Sequence, residues 1–356
     1  MSTLLSQGGF GCVYYPRITC DGKSSNDTDN VSKLQKKNFN ADNEIKIGKL
    51  IMKIPDYKKH FIPVVSSCPV DIREIDGNDL KDCNVITKDL HSIDLQSKFV
   101  LMNTHYVKNK SLVETLVKSN VSIIKKKTFS QILNMYSYLL DGFDLLIKNN
   151  IVHLDFKSEN LLFDINTETP LIIDFGISIP MNDINNDNIK KYFYGYSAEY
   201  YIWPLDVHII NYLLHVTGEP LNESDAILIA TDYSSAPYLD FFSKEFKEKY
   251  KEGCITQVKK YIGIPKKRLI KKLLGYYKTW DNYSLSVGFL RIFYEIFTNG
   301  HHYNGMLILL TQLFVINSAP NPELRLSIDE TKKMFKQIYF IDGVVDNFYN
   351  LIKDIE

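Results

Sequence analysis

The sequence predicts an α+β chain of two lobes, a small β-rich lobe over residues 1–106 and a larger, mainly α-helical lobe over 107–356. Three observations predict it. The first 110 residues combine clustered glycines, polar turn segments and short apolar runs of strand type. A long period of apolar residues at helical spacing then begins near Phe129. From about Asn185 the chain is helix-like and rich in Tyr, Phe, Leu, Ile and Lys. Of the 356 residues, 45% are hydrophobic and 24% charged, enough to bury a core and too apolar for disorder over most of the length. Lys+Arg and Asp+Glu are 42 each, so a whole-molecule basic field for nucleic acid is not expected.

The elements follow in order. Gly8, Gly9 and Gly11 mark a turn between short strands, and Asp21–Asn30 has turn composition. Asp42–Met52 reads as a helix with Ile45, Leu50 and Ile51 on its apolar positions. Phe99–Met102 is a strand-type run, and residues 103–110 read as the linker. Phe129, Ile132, Leu133, Tyr136, Leu139, Leu140, Phe143 and Ile147 form one helical stripe, ended at Asn149-Asn150. Two short apolar segments follow, Ile151–Phe156 and Leu171–Phe175. Met306–Ile316 reads as a buried helix, since no apolar stretch reaches the ~18 residues of a membrane span.

The five cysteines, Cys12, Cys20, Cys68, Cys83 and Cys254, are odd in number and show no C-x-x-C spacing. That pattern argues against a disulfide framework or a zinc ribbon and for a reducing compartment. The N-terminal residues lack the charged and apolar regions of a secretory signal. A cytoplasmic location is the expectation, with no membrane partner.

The chemistry concentrates in His153-Leu154-Asp155-Phe156-Lys157-Ser158-Glu159-Asn160 and in Asp174-Phe175-Gly176. The first places a carboxylate, an ammonium and an amide on one short loop. Phosphoryl transfer needs these groups: Asp155 to take the proton of an attacking hydroxyl, Lys157 to neutralise the moving phosphoryl group, Asn160 to hold a metal. In the second, a carboxylate ends a buried apolar run and is followed by a flexible glycine, which suits a magnesium ligand against ATP phosphates.

In this order and spacing the motifs resemble the eukaryotic-type protein kinase superfamily, over about residues 4–340. The resemblance implies a two-lobed kinase-like fold, ATP and Mg2+ as cofactors, and protein substrates. It implies that Gly8, Gly9, Gly11 and Val13 belong to a glycine-rich loop over the phosphates, with Ser6 replacing the family's first glycine. It implies a strand lysine paired with a helix glutamate. Lys33 follows Val31-Ser32 as that lysine, with Lys23, Lys36 and Lys37 as alternatives. Glu44 is the partner, since the next glutamate is Glu74, with Asp42 a poorer substitute. The backbone of His105 and Val107 would bind adenine, beside Thr104 at the back pocket. Asp281 would brace the catalytic loop from the start of a central helix, with Asp206 the alternative start, and Arg325 would be the late structural arginine.

The departures are Leu154 where regulated members carry Arg, no clear A-P-E triplet, and an insertion over about 180–280. Leu154 implies independence from loop phosphorylation. Ser197-Ala198-Glu199 is the nearest match to A-P-E, which would pair Glu199 with Arg325. The basic run Lys266-Lys267-Arg268 with Lys271-Lys272 reads as a solvated helix face. Lys157 is similar to the lysine of serine/threonine kinases. The expected activity is therefore a protein serine/threonine kinase, and the composition resembles kinases of large DNA viruses, which would place it in host cytoplasm or virion. A non-catalytic kinase-like scaffold and a small-molecule kinase are the alternatives.

Overall fold

The computed structural model describes residues 2–9, 11–84, 98–110, 126–235, 239, 242–297 and 305–340. Its N-terminal region carries β1 (Thr3–Gln7), β2 (Gly11–Tyr15), β3 (Asn30–Lys36), α1 (Phe39–Ile51), β4 (Ser66–Val70), α2 (Gly77–Leu80), β5 (Phe99–His105) and β6 (Asn109–Lys110). The first five strands form one sheet in the order β1-β2-β3-β5-β4, each pair antiparallel. The period of two along β5 divides its side chains between two cores. Phe99 and Leu101 join Cys12, Tyr14 and Leu34 on one face, while Val100 and Met102 join Ala41 and Val64 on the other.

Local signals fix α1. The Asn38 side chain accepts from the Ala41 N–H at the N-cap, Asp42 lies in the first turn and Lys49 in the last, each favoured by the helix dipole. The helix buries Ala41, Glu44, Ile47, Gly48 and Ile51 along one stripe. Gly48 allows its close approach to the sheet edge, since a Cβ there would stand 2.4 Å from the Val64 carbonyl oxygen.

The chain continues through α3 (Lys126–Lys148), β7 (Ile151–Val152), β8 (Leu161–Asp164), β9 (Pro170–Ile172) and β10 (Ile179–Pro180). Helices follow: α4 (Ile189–Tyr192), α5 (Leu205–His215), α6 (Glu223–Ser234), α7 (Lys244–Lys259), α8 (Lys266–Leu274), α9 (Trp280–Phe297), α10 (Gly305–Asn317) and α11 (Ile328–Phe340). The Tyr136 ring of α3 meets Phe289 of α9 at 4.9 Å, Phe314 of α10 at 4.9 Å and Phe335 of α11 at 5.1 Å between centroids. These contacts make the aromatic core of the helical region.

Contacts divide the chain into two units, Met1–Lys110 with Leu162–Ser178, and Ser111–Leu161 with Ile179–Glu356. The β-rich unit therefore also contains the Asp174 segment, which a boundary at 106/107 assigns to the other lobe. Helix α10 is less buried than its composition implies: Met306, Leu310 and Phe314 are covered, whereas Ile308 is 48% exposed. Among the described residues no helix is long and apolar enough to cross a membrane.

The cysteine expectation is overturned. Cys12 is bonded to Cys83 and Cys20 to Cys68, and Cys254 alone is a free, buried thiol. Neither pair is local, with 71 and 48 residues between partners. Spacing read along the chain misses them because tertiary packing, not sequence proximity, brings their Cα atoms to about 6 Å: β2 meets the segment after α2, and β4 meets the turn at Cys20.

Candidate functional site

In the β-rich unit, β3 presents Lys33 and α1 presents Glu44. The Lys33 ammonium lies 2.8 Å from a Glu44 carboxylate oxygen and 3.3 Å from an Asp174 oxygen. Burial alone would lower the Lys33 pKa, but the two carboxylates outweigh it and hold the ammonium protonated. Burial pushes the Glu44 carboxyl up, opposed by Lys33. Asp174 takes a left-handed φ of 61°, an uncommon conformation for a non-glycine residue. Its neighbours hold it there. The Asn43 amide donates to the Gly176 and Ser178 carbonyls at 3.1 and 2.8 Å, and Phe175 meets Phe61 edge-on. A Cβ on Gly176 would stand 3.4 Å from Asp174 Oδ1 and 3.6 Å from Glu44 Oε2, so the glycine keeps that side of the carboxylates open.

The glycine-rich turn closes through a bond from the Gly8 N–H to the Gly11 carbonyl, at 3.0 Å. The three glycines differ in duty. A Cβ on Gly8 or Gly9 would meet nothing within 4 Å, whereas one on Gly11 would stand 2.3 Å from the Leu34 carbonyl oxygen. Phe10, within the same loop, lies outside the described residues. Val13 pairs with Lys33 across β2 and β3. His105 ends β5 opposite Asn30, and burial lowers its pKa with help from Lys58, against Asp29. The Val107 carbonyl accepts from the Asn109 amide at 2.9 Å.

The helical unit gathers the remaining groups around Asp155. Lys157 Nζ lies 3.0 Å from Asp155 Oδ1. Asn160 Nδ2 donates to Asp155 Oδ2 at 2.9 Å and to its backbone carbonyl at 2.8 Å, so of the two amide atoms of Asn160 only the oxygen could ligate a metal. The loop is braced from α9, where the buried Asp281 carboxylate accepts the His153 and Leu154 N–H groups at 2.8 and 3.0 Å. Leu154 adopts φ 63°. Its strain is held on both sides, because the Trp203 indole N–H donates to the Leu154 carbonyl at 2.8 Å.

Sequence reasoning gave no role to Tyr200 or Trp203 and named Asp206 only as an alternative helix start. Tyr200 donates its hydroxyl to Asp155 Oδ1 and accepts from Lys157 Nζ at 3.2 Å. Trp203 braces Leu154. Asp206, on α5, is the partner of Arg325, at 2.7 Å with both side chains buried. The expected Glu199–Arg325 pair is absent, since Glu199 is exposed. The cause is the site's burial: an arginine withdrawn from water needs a carboxylate withdrawn with it. A signal was present in the composition. The chain has only two tryptophans, Trp203 and Trp280, and Trp280 donates its indole N–H to Asp206.

Magnesium bound beside nucleotide phosphates keeps several waters and needs one or two protein oxygens, not a dedicated cage. The donor set fits that demand. Asp174 is 34% exposed at its side chain while Lys33 and Glu44 are at 16% and 6%, so Asp174 is the carboxylate of the triad that a hydrated cation reaches. Among the described residues no cluster of three or more His, Cys, Asp or Glu forms a metal cage.

Residues 70–202 match the family model of the protein kinase domain. The β-sheet N-terminal region and helical C-terminal region are those of the two-lobed α+β kinase fold. The matched range contains Asp155, Lys157, Asn160 and Asp174, and ends one residue before Trp203; the glycine turn, Lys33 and Glu44 precede it. A search of curated proteins gives no match.

Proposed function

We propose that this protein kinase domain is catalytically competent and transfers the γ-phosphate of MgATP to serine and threonine hydroxyls of protein substrates. The observation that carries the reading is the Asp155 carboxylate, which already accepts a hydroxyl proton donor while Lys157 lies 3.0 Å from the same oxygen. A general base must be within hydrogen-bond reach of the proton it takes, and the Tyr200 hydroxyl on Asp155 supports this reading by marking where such a donor binds.

The other roles follow from charge and position. Lys33, kept cationic by Glu44 and Asp174, pairs with the ATP phosphates. Gly8, Gly9 and Gly11 cover them with backbone, and Val13 lines the adjoining strand. His105 and Val107 offer backbone groups to adenine. Asp174 and the Asn160 amide oxygen hold magnesium, which when bound neutralises charge on the phosphates. Lys157 stabilises the acceptor oxygen and the developing negative charge, and Asp281 and Trp203 fix the loop. Such catalysis is positioning and electrostatics with little covalent work for the protein. The type of the lysine at 157 supports serine and threonine as acceptors.

The test is transfer of labelled γ-phosphate to a serine/threonine peptide. Asp155→Asn should lower the rate about 10³-fold while leaving MgATP binding, followed by nucleotide fluorescence, intact. Nucleotide binding with no transfer by the wild-type protein would instead identify a scaffold. Transfer confined to sugars, lipids or aminoglycosides would identify a small-molecule kinase.

A further inference from the structure

We propose that the two disulfides of the β-rich unit are a graded thiol-exchange site, through which a dithiol reductant loosens the glycine turn and weakens nucleotide binding. The inference rests on the reading that this turn covers the ATP phosphates, and it names the regulation of that site. The turn is rooted at Gln7, the last residue of β1, and at Cys12, which pairs with Gln7 in the ladder between β1 and β2. Two consecutive residues from elsewhere in the chain hold both roots. Cys83 is bonded to Cys12, and the Asn84 N–H donates to Gln7 Oε1 at 3.1 Å. The hold matters because β1 is an edge strand, exposed along most of its length. One hold is covalent and the other a single hydrogen bond, so reduction leaves the turn with the weaker of the two.

The segment that carries this clamp is tied at both ends. From Cys68 to Cys83 it covers one face of the sheet, with Val70, Ile72, Ile75 and Leu80 in the core that holds Cys12, Tyr14 and Leu34. Its helical structure is one three-residue turn, Ile72–Glu74, and the four-residue α2, too short to persist without tertiary support. Cys20–Cys68 fixes its start and Cys12–Cys83 its end. The two bonds differ in access. Cys20 is exposed and Cys68 half-buried, whereas Cys12 and Cys83 are fully buried. Exchange requires a thiolate to reach a sulfur. The outer bond is open to it in the folded protein, and the inner bond becomes so once the covering segment lifts.

The step balances at each bond with the dithiol as reductant. One of its thiolates attacks a cystine sulfur, the S–S bond breaks, and the other cysteine departs as thiolate with the electron pair. The second thiol of the reagent, deprotonated, attacks the mixed disulfide and releases the remaining cysteine. The reagent is oxidised to its own disulfide, and its two protons pass to the two cysteines. Opening Cys20–Cys68 frees the start of the covering segment. Opening Cys12–Cys83 then releases β2 beside Gly11, and the turn loses its covalent root.

The experiment titrates the full oxidised chain with dithiothreitol. At each step free thiols are alkylated and mapped by mass spectrometry, MgATP affinity is read with a fluorescent nucleotide, and amide hydrogen exchange is followed. The expected result is alkylation of Cys20 and Cys68 first, with affinity unchanged. Alkylation of Cys12 and Cys83 follows, and affinity then falls about tenfold. The amides of Gly8, Gly9 and Gly11 exchange faster at that step, while β3 and β5 stay protected and reoxidation restores binding. The paired change Cys20→Ser and Cys68→Ser should keep the oxidised affinity and lose it at lower dithiothreitol than wild type; the wild-type titration decides the matter if that variant fails to fold. Unchanged affinity once Cys12 and Cys83 are alkylated overturns the inference and leaves the nucleotide reading standing. Simultaneous alkylation of both pairs overturns the graded order. Loss of protection throughout β3 and β5 on reduction also overturns the inference, since the bonds would then hold the sheet rather than the turn. Oxidised protein that binds no MgATP overturns the nucleotide reading and this inference with it.

Discussion

At the scale of single residues, burial decides chemistry as much as charge does. His208 of α5 lies beneath Tyr196, Trp203 and Tyr233, and burial lowers its pKa from 6.5 to about 4, against small opposing effects of the Tyr200 and Trp203 backbone. The folded state therefore resists a proton that the unfolded chain accepts near pH 6.5. Stability should be at its plateau above that pH, fall as pH drops through the window between 6.5 and about 4, and lose roughly 3 kcal/mol across it from this group. Unfolding by denaturant at several pH values, for wild type and His208→Phe, checks it: the variant should show a shallower fall, and superimposable profiles would refute the assignment. The sequence was most legible at residues of this scale where a chemical demand narrows the choice. The folded chain brings Lys33, Glu44 and Asp174 together, and Asp155, Lys157 and Asn160 together. Tyr200 and Asp206 were not legible, because a tyrosine-rich and aspartate-rich segment gives no reason to prefer one over its neighbours until the chain is folded.

At the scale of elements, β5 was readable as an apolar run because both of its faces are buried, and α3 because its apolar positions recur at helical spacing. The expected helix over Asp42–Met52 appears as α1, with its start set by the cap at Asn38. The glycine turn between β1 and β2 combines two different needs in one motif. Gly11→Ala puts a Cβ against backbone of the adjacent strand, which cannot retreat without breaking the β2–β3 ladder. It should cost about 2 kcal/mol or more. Gly8→Ala and Gly9→Ala meet open space and should change stability by less than about 1 kcal/mol. Thermal unfolding of the three variants separates them, and equal destabilisation by all three would show that the turn acts as a unit. The basic run of α8 reads as a solvated face at four of its five positions: Lys267, Arg268, Lys271 and Lys272 are exposed opposite the buried Leu269, Ile270 and Leu273, whereas the half-buried Lys266 donates to the Thr217 carbonyl at 3.2 Å.

At the scale of the whole molecule, the largest departure from expectation is covalent. The two disulfides both lie in the β-rich unit, one of them joining β2, beside the glycine turn, to Cys83. Closing loops of 71 and 48 residues restricts the unfolded chain by about 4 kcal/mol each in the chain-entropy picture. Reduction should therefore lower the denaturation midpoint. Mass spectrometry of an unreduced digest should recover the Cys12–Cys83 and Cys20–Cys68 peptides, and free thiols at all five cysteines would refute both pairings. No periodicity or motif encodes such pairs, because they join segments far apart in the chain that meet only once it is folded.

Trp203 and Asp281 are remote in sequence, yet they grip the same residue, one at the Leu154 carbonyl and the other at its N–H. The long stretch between them starts from a bond to the Leu154 carbonyl and ends on bonds to the His153 and Leu154 N–H groups. Its helices can accordingly lengthen, shorten or acquire a new surface while both grips stay in place, and the base keeps its aim. The stretch from Trp203 to Asp281 thus anchors the backbone of Leu154 from both of its ends.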